Sequence, residues 1–84
     1  MLTIKVLGPG CSNCKALEGV ARKAVTSLGI EAEIIKVQEY DEIMKYPILS
    51  TPALVVNEKV VVSGRVPAVD QVTTWLADAA MQES

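Results

Sequence analysis

The chain has 84 residues, half of them apolar, and a formal net charge of −2, so it is neither a disordered polyelectrolyte nor a basic nucleic-acid binder. Histidine and phenylalanine are absent and only Trp75, Tyr40 and Tyr46 are aromatic, which removes the commonest general base and metal ligand and leaves no base-stacking platform. No apolar run approaches the ~20 residues of a membrane span and no basic segment leads into a long apolar one at the N-terminus, so a cytoplasmic protein with neither membrane nor nucleic acid as partner is expected.

Leu2, Ile4 and Val6 alternate with Thr3, Lys5 and Leu7, the pattern of a strand with one strongly buried face. Gly8, Pro9 and Gly10 end that strand. From Cys14 onward, Leu17, Val20, Ala21, Ala24, Val25 and Leu28 recur on one face of a helix, and Gly29 suits its C-terminal cap. Lys15, Glu18, Arg22 and Lys23 fall on the opposite, solvated face. Residues 30–37 read as a second strand, and a strand–helix–strand unit with a short return implies a right-handed parallel crossover. Glu39, Asp41 and Glu42 open a short helical segment running to Met44 or Lys45, with acids at its positive end and Pro47 stopping it.

Ala53-Leu54-Val55-Val56 and Lys59-Val60-Val61-Val62, separated by Asn57-Glu58, read as a hairpin. The chain turns again at Ser63-Gly64-Arg65-Val66. Pro67 suits the first turn of a last helix, in which Val69, Val72, Leu76 and Ala79 form an apolar stripe bordered by Trp75 and the final residues fray. The expected fold is therefore α/β in the order β-α-β-α-β-β-α: a four-stranded mixed sheet flanked by helices on both faces, formed as a single domain over residues 1–84. A chain of this length buries roughly 60% of its unfolded surface, which makes a modest core feasible.

Both cysteines lie in Gly8-Pro9-Gly10-Cys11-Ser12-Asn13-Cys14, between the first strand and the first helix. Two thiols two residues apart at a helix start are open to three uses. A structural disulfide there closes a very short loop and removes little unfolded-state entropy. Zinc needs four ligands and this chain supplies two thiols, whereas monovalent copper accepts two thiolates, so a soft-metal binding or chaperone module is the alternative function. Dithiol–disulfide chemistry needs only the two sulfurs, and the strand–helix context favours it. In that reading Cys11 receives the N–H groups of Asn13 or Cys14 and the positive end of the helix dipole, its pKa falls, and it attacks a substrate disulfide. Cys14, about one turn into the helix, then resolves the mixed disulfide, while Ser12 and Asn13 tune the potential.

The corner Gly8-Pro9-Gly10-Cys11-Ser12-Asn13-Cys14, the stretch Ser50-Thr51-Pro52-Ala53-Leu54 and the stretch Ser63-Gly64-Arg65-Val66-Pro67 resemble, together with the element order, the small thioredoxin-like redox-active disulfide proteins of bacteria and archaea. The likeness spans nearly the whole chain. It implies a thioredoxin fold, a nucleophile at Cys11, a cis bond before Pro52 facing the cysteines, and a thiol–disulfide oxidoreductase. Catalysis then falls to Cys11 and Cys14, and substrate contact to Gly10, Ser12, Asn13, Thr51 and Pro52. The partners implied are a disulfide-bearing protein or small thiol and a reductase or thiol electron donor; the chain is expected to act as a monomer without a cofactor. Thioredoxins proper carry Trp before the first cysteine and Gly-Pro between the two, where this chain has Gly10 and Ser12-Asn13. Glutaredoxins carry a Gly-Gly-x-x-Asp stretch that Ser63-Gly64-Arg65-Val66 lacks. The heavy-metal-associated domain also places Cys-x-x-Cys between strand and helix, but it has Met where this chain has Pro9 and ends in a strand where residues 67–80 read as a helix.

Overall fold

Leu2, Ile4 and Val6 turn their side chains to one face of strand β1 (Leu2–Leu7), and this strand becomes the centre of the molecule. The computed structural model describes residues 2–10, 12–48 and 50–83. In it, β1 pairs in parallel with β2 (Ala32–Val37) and antiparallel with β3 (Ala53–Val56), and β3 pairs with β4 (Lys59–Ser63). The sheet order is β2-β1-β3-β4. The two inner strands are the most apolar and the most buried, while β2 and β4 carry Glu33, Lys36, Lys59 and Ser63 outward at the edges.

Two clusters of side chains lie on the two faces. On one face, Leu2, Ile4, Val6, Leu54, Val56 and Val62 pack with Leu17, Ala21 and Ala24 of α1 (Ser12–Leu28) and with Val72 and Leu76 of α3 (Val69–Glu83). On the other, Leu7, Ala53 and Val55 pack with Ile43 of the short α2 (Tyr40–Ile43), with Val37, Tyr46, Ile48 and Val60 at the margin. Burying one Leu, Ile or Val side chain stabilises by roughly 1.5–3 kcal/mol, so these stripes are what dock the helices. The thioredoxin-like α/β architecture expected from the sequence is the one observed.

Several boundaries differ from expectation, and the short α2 ends at Ile43 rather than at Met44 or Lys45. The second strand begins at Ala32 rather than at residue 30, because β1 begins at Leu2 and its register partner is Ala32; ahead of that pair the Leu2 N–H donates to the Glu31 carbonyl at 3.2 Å. Pro67 lies outside α3: the Ala68 carbonyl accepts the first helical hydrogen bonds, from Gln71 and Val72, and the Gln71 side chain reaches back to the Ala68 N–H at 3.3 Å, one half of a capping box. The last helix runs to Glu83, past the residues 67–80 expected for it. No helix among the described residues is long and apolar enough to cross a membrane.

Candidate active site

Parallel pairing of β1 with β2 brings their carboxyl ends together, and the Gly8 N–H extends the ladder by donating to the Val37 carbonyl at 2.9 Å. Beyond it the chain must reverse into α1 within a few residues. Gly10 makes that possible at φ +91°, a left-handed conformation that costs an L-residue with a Cβ about 1–2 kcal/mol. Gln38, the residue after β2, lies over Gly10, with Nε2 3.3 Å from where a Cβ would stand.

α1 then begins at Ser12, the residue after Cys11. Cys11 itself, the expected nucleophile, lies outside the described residues. Ser12 and Asn13 are exposed on the first turn, where backbone N–H groups lack helical acceptors, and no acidic side chain in that turn offsets the positive end of the helix. Cys14 is the first buried residue of α1, only 5% exposed.

The Cys14 sulfur rests against the backbone of Gly8, so closely that a Cβ on residue 8 would collide with it; the same notional Cβ would stand 3.8 Å from Thr51 Cβ. Cys14, Gly8 and Thr51 thus meet at one point. The Thr51–Pro52 peptide bond is cis, as the resemblance implied, with Thr51 exposed and Pro52 buried. The Pro52 carbonyl accepts the Gly64 N–H at 2.8 Å, which fastens the turn after β4 onto the same loop.

A cleft of about 240 Å³ reaches Cys14 from the β2 side, walled by Pro9, Gly10, Lys15, Lys36 and Gln38. Glu18 also lines it. Arg22 donates to Glu18 Oε2 from Nη2 at 2.7 Å and from Nε at 3.2 Å, and Lys36 Nζ lies 3.7 Å from Oε1; Arg22 first and Lys36 second hold the Glu18 carboxyl below the ordinary carboxylate range.

The folded chain therefore gathers Gly10, Ser12, Asn13, Cys14, Thr51 and Pro52 at one end of the sheet. Sequence reasoning treated Gly8 as a strand terminator and as part of the stretch that carries the resemblance, and passed over Gln38 and Lys36. The signal for the latter two was present: in a parallel sheet, residues at and just beyond the carboxyl ends of adjacent strands share one edge, and such edges are where α/β folds place their sites.

A model of the thioredoxin domain matches residues 2–77. A protein named thioredoxin from Methanothermobacter thermautotrophicus is 39% identical over 77 residues, which span 92% of this chain and 100% of that protein. Another protein named thioredoxin, from Methanocaldococcus jannaschii, is 35% identical over 72 residues, 86% of this chain and 83% of that protein.

Proposed function

Because this chain belongs to the thioredoxin family and is a thiol–disulfide oxidoreductase, we propose that it works through the Cys11–Cys14 dithiol, reducing or exchanging the disulfide of a protein or small-thiol partner. The observation that carries this reading is the setting of Cys14: a buried sulfur in the first turn of a helix that starts directly after Cys11, with Thr51 beside it.

In the first step the Cys11 thiolate attacks one sulfur of the substrate disulfide. The Cys11–substrate bond forms, the substrate S–S bond breaks, and the departing thiolate takes up a proton. The helix start favours the attacking thiolate. In the second step Cys14 loses its proton and attacks the Cys11 sulfur; the Cys11–Cys14 disulfide forms and the second substrate thiolate leaves. The substrate has gained two electrons and the dithiol has lost them, and a reductase or thiol donor returns them. Thr51 and Pro52 form one wall of the substrate groove, where the Thr51 backbone meets an extended segment in strand-like fashion. Gly10, Ser12 and Asn13 form the other. The chain acts as one monomeric domain, in a reducing compartment such as the cytoplasm that keeps the pair supplied with electrons.

Mixing single-cysteine variants with a disulfide-bearing protein tests the division of labour. Cys11→Ser should abolish exchange, and Cys14→Ser should attack but stall, accumulating a mixed disulfide on non-reducing gels. Trapping by Cys11→Ser instead would reverse the roles, and equal loss in both variants without trapping would point to a metal-binding pair.

A further inference from the structure

Two glycines flank Pro9, and they are glycines for different reasons. Gly10 needs its positive φ. Gly8 does not occupy the left-handed region, is buried, and continues the strand ladder through its N–H, so its φ does not call for glycine. What it lacks is room: a methyl group there would take the place of the Cys14 sulfur and stand 3.3 Å from Cys14 Cβ. We infer that Gly8 is a positioning residue for the resolving step, a slot in the end of β1 that seats the Cys14 sulfur against the backbone and so fixes the line along which it meets Cys11.

The physical argument is one of space and direction. Cys14 Sγ has one rotatable bond between it and α1. With the slot open, the sulfur rests against the Gly8 backbone, in the corner that Thr51 also borders. With the slot filled, either the sulfur rotates away or the first turn of α1 withdraws from the sheet. Both displace the attacking sulfur by a large fraction of an S–S bond length, and misplacement on the scale of an ångström costs on the order of a hundredfold in rate. The first step, attack by Cys11 on substrate, does not use the Cys14 sulfur.

The inference rests on the proposed roles of Cys11 and Cys14, and the test separates the two. Rapid-quench gels follow the mixed disulfide formed with a disulfide-bearing protein by wild type, Cys14→Ser, Gly8→Ala and, as a control, Gly19→Ala, whose added methyl meets nothing within 4 Å. In Gly8→Ala the mixed disulfide should form at the wild-type rate but disappear about ten- to a hundredfold more slowly. The equilibrium for closing the Cys11–Cys14 disulfide should weaken about tenfold, raising the reduction potential by about 30 mV. Gly19→Ala should match wild type. If Cys14→Ser fails to trap, the assignment of Cys14 as resolving thiol is wrong and the inference falls with it. If Cys14→Ser traps while Gly8→Ala resolves at the wild-type rate, the roles stand and the slot is refuted. Should Gly8→Ala not fold, combining it with Cys14→Ala removes the colliding sulfur: restored folding supports the contact, and its absence overturns it.

Discussion

Asn57 and Thr3 hold each other through two hydrogen bonds of opposite direction: the Asn57 N–H donates to the Thr3 carbonyl at 2.8 Å, and the Thr3 N–H donates to Asn57 Oδ1 at 3.0 Å. The tip of the β3–β4 hairpin is thereby clamped to the start of the central strand. Asn57 and Glu58 both have positive φ, 50° and 68°, the backbone of a two-residue turn whose twist matches its strands.

Substitutions at Asn57 should separate these two contributions. Asn57→Gly keeps the left-handed backbone and loses the acceptor for Thr3, at a cost of about 1 kcal/mol. Asn57→Ala loses both, at about 2 kcal/mol or more. Urea denaturation should rank wild type above Gly and Gly above Ala; an alanine variant as stable as the glycine one would show that the backbone conformation is not being selected.

Glu58 offers a test in pH. Lys5 Nζ donates to Glu58 Oε1 at 2.6 Å and to the Tyr46 hydroxyl at 2.8 Å, and that hydroxyl donates to Glu58 Oε2 at 3.1 Å. Lys5 first and Tyr46 second hold the Glu58 carboxyl below its ordinary value of 4.5. A carboxyl whose pKa is lower in the folded state stabilises above the unfolded value and loses that stabilisation as pH falls through the folded one. Wild type should therefore melt above Glu58→Gln near neutral pH, with a gap that narrows below 4.5 and shrinks with added salt because Glu58 is exposed. A gap independent of both pH and salt would mean that the carboxylate charge contributes nothing.

Gly64→Ala should be the costly member of a pair with Gly19→Ala. Gly64 has φ +80°, and a methyl on it would collide with Ser50 Oγ, so the substitution should cost about 2 kcal/mol and disturb the Thr51–Pro52 loop to which Gly64 is bonded. Gly19 lies inside α1 with open space around it, and alanine there should stabilise by about 0.5–1 kcal/mol. Unfolding midpoints in urea check both signs; equal effects would contradict the reading of the Gly64 turn.

Equilibration against defined redox buffers should show one two-electron transition, in which the oxidised-to-reduced ratio changes tenfold per about 30 mV. Cys14→Ser should abolish it. Tight stoichiometric binding of monovalent copper by the reduced protein, with no such transition, would support the metal-binding alternative.

The element order was legible because its signals are local. Period-2 alternation from Leu2 to Leu7, the helical stripe from Leu17 to Leu28, Gly29 after it and the Asn57-Glu58 break each operate within a few residues, and hydrophobic periodicity then sets which face meets the sheet. Residues 11 and 14 were legible as chemistry because thiols are rare in this chain and their spacing suits one helical turn. Element ends were less so, since they depend on partners: the second strand could not be trimmed to Ala32 without its register against Leu2, nor Pro67 excluded from α3 without the cap at Ala68.

Composition and spacing alone thus determined that this is a small mixed-sheet protein with a dithiol at the junction of strand and helix. The tertiary structure decided what surrounds that junction. Gly8 reads in sequence as a turn residue, and only the packing of α1 against the end of β1 makes it the seat of the Cys14 sulfur. Gln38 and Thr51 reach the same corner from distant parts of the chain, because strand register decides which residues become neighbours. Register follows from burying whole strand faces at once, a global energy that no window of a few residues contains.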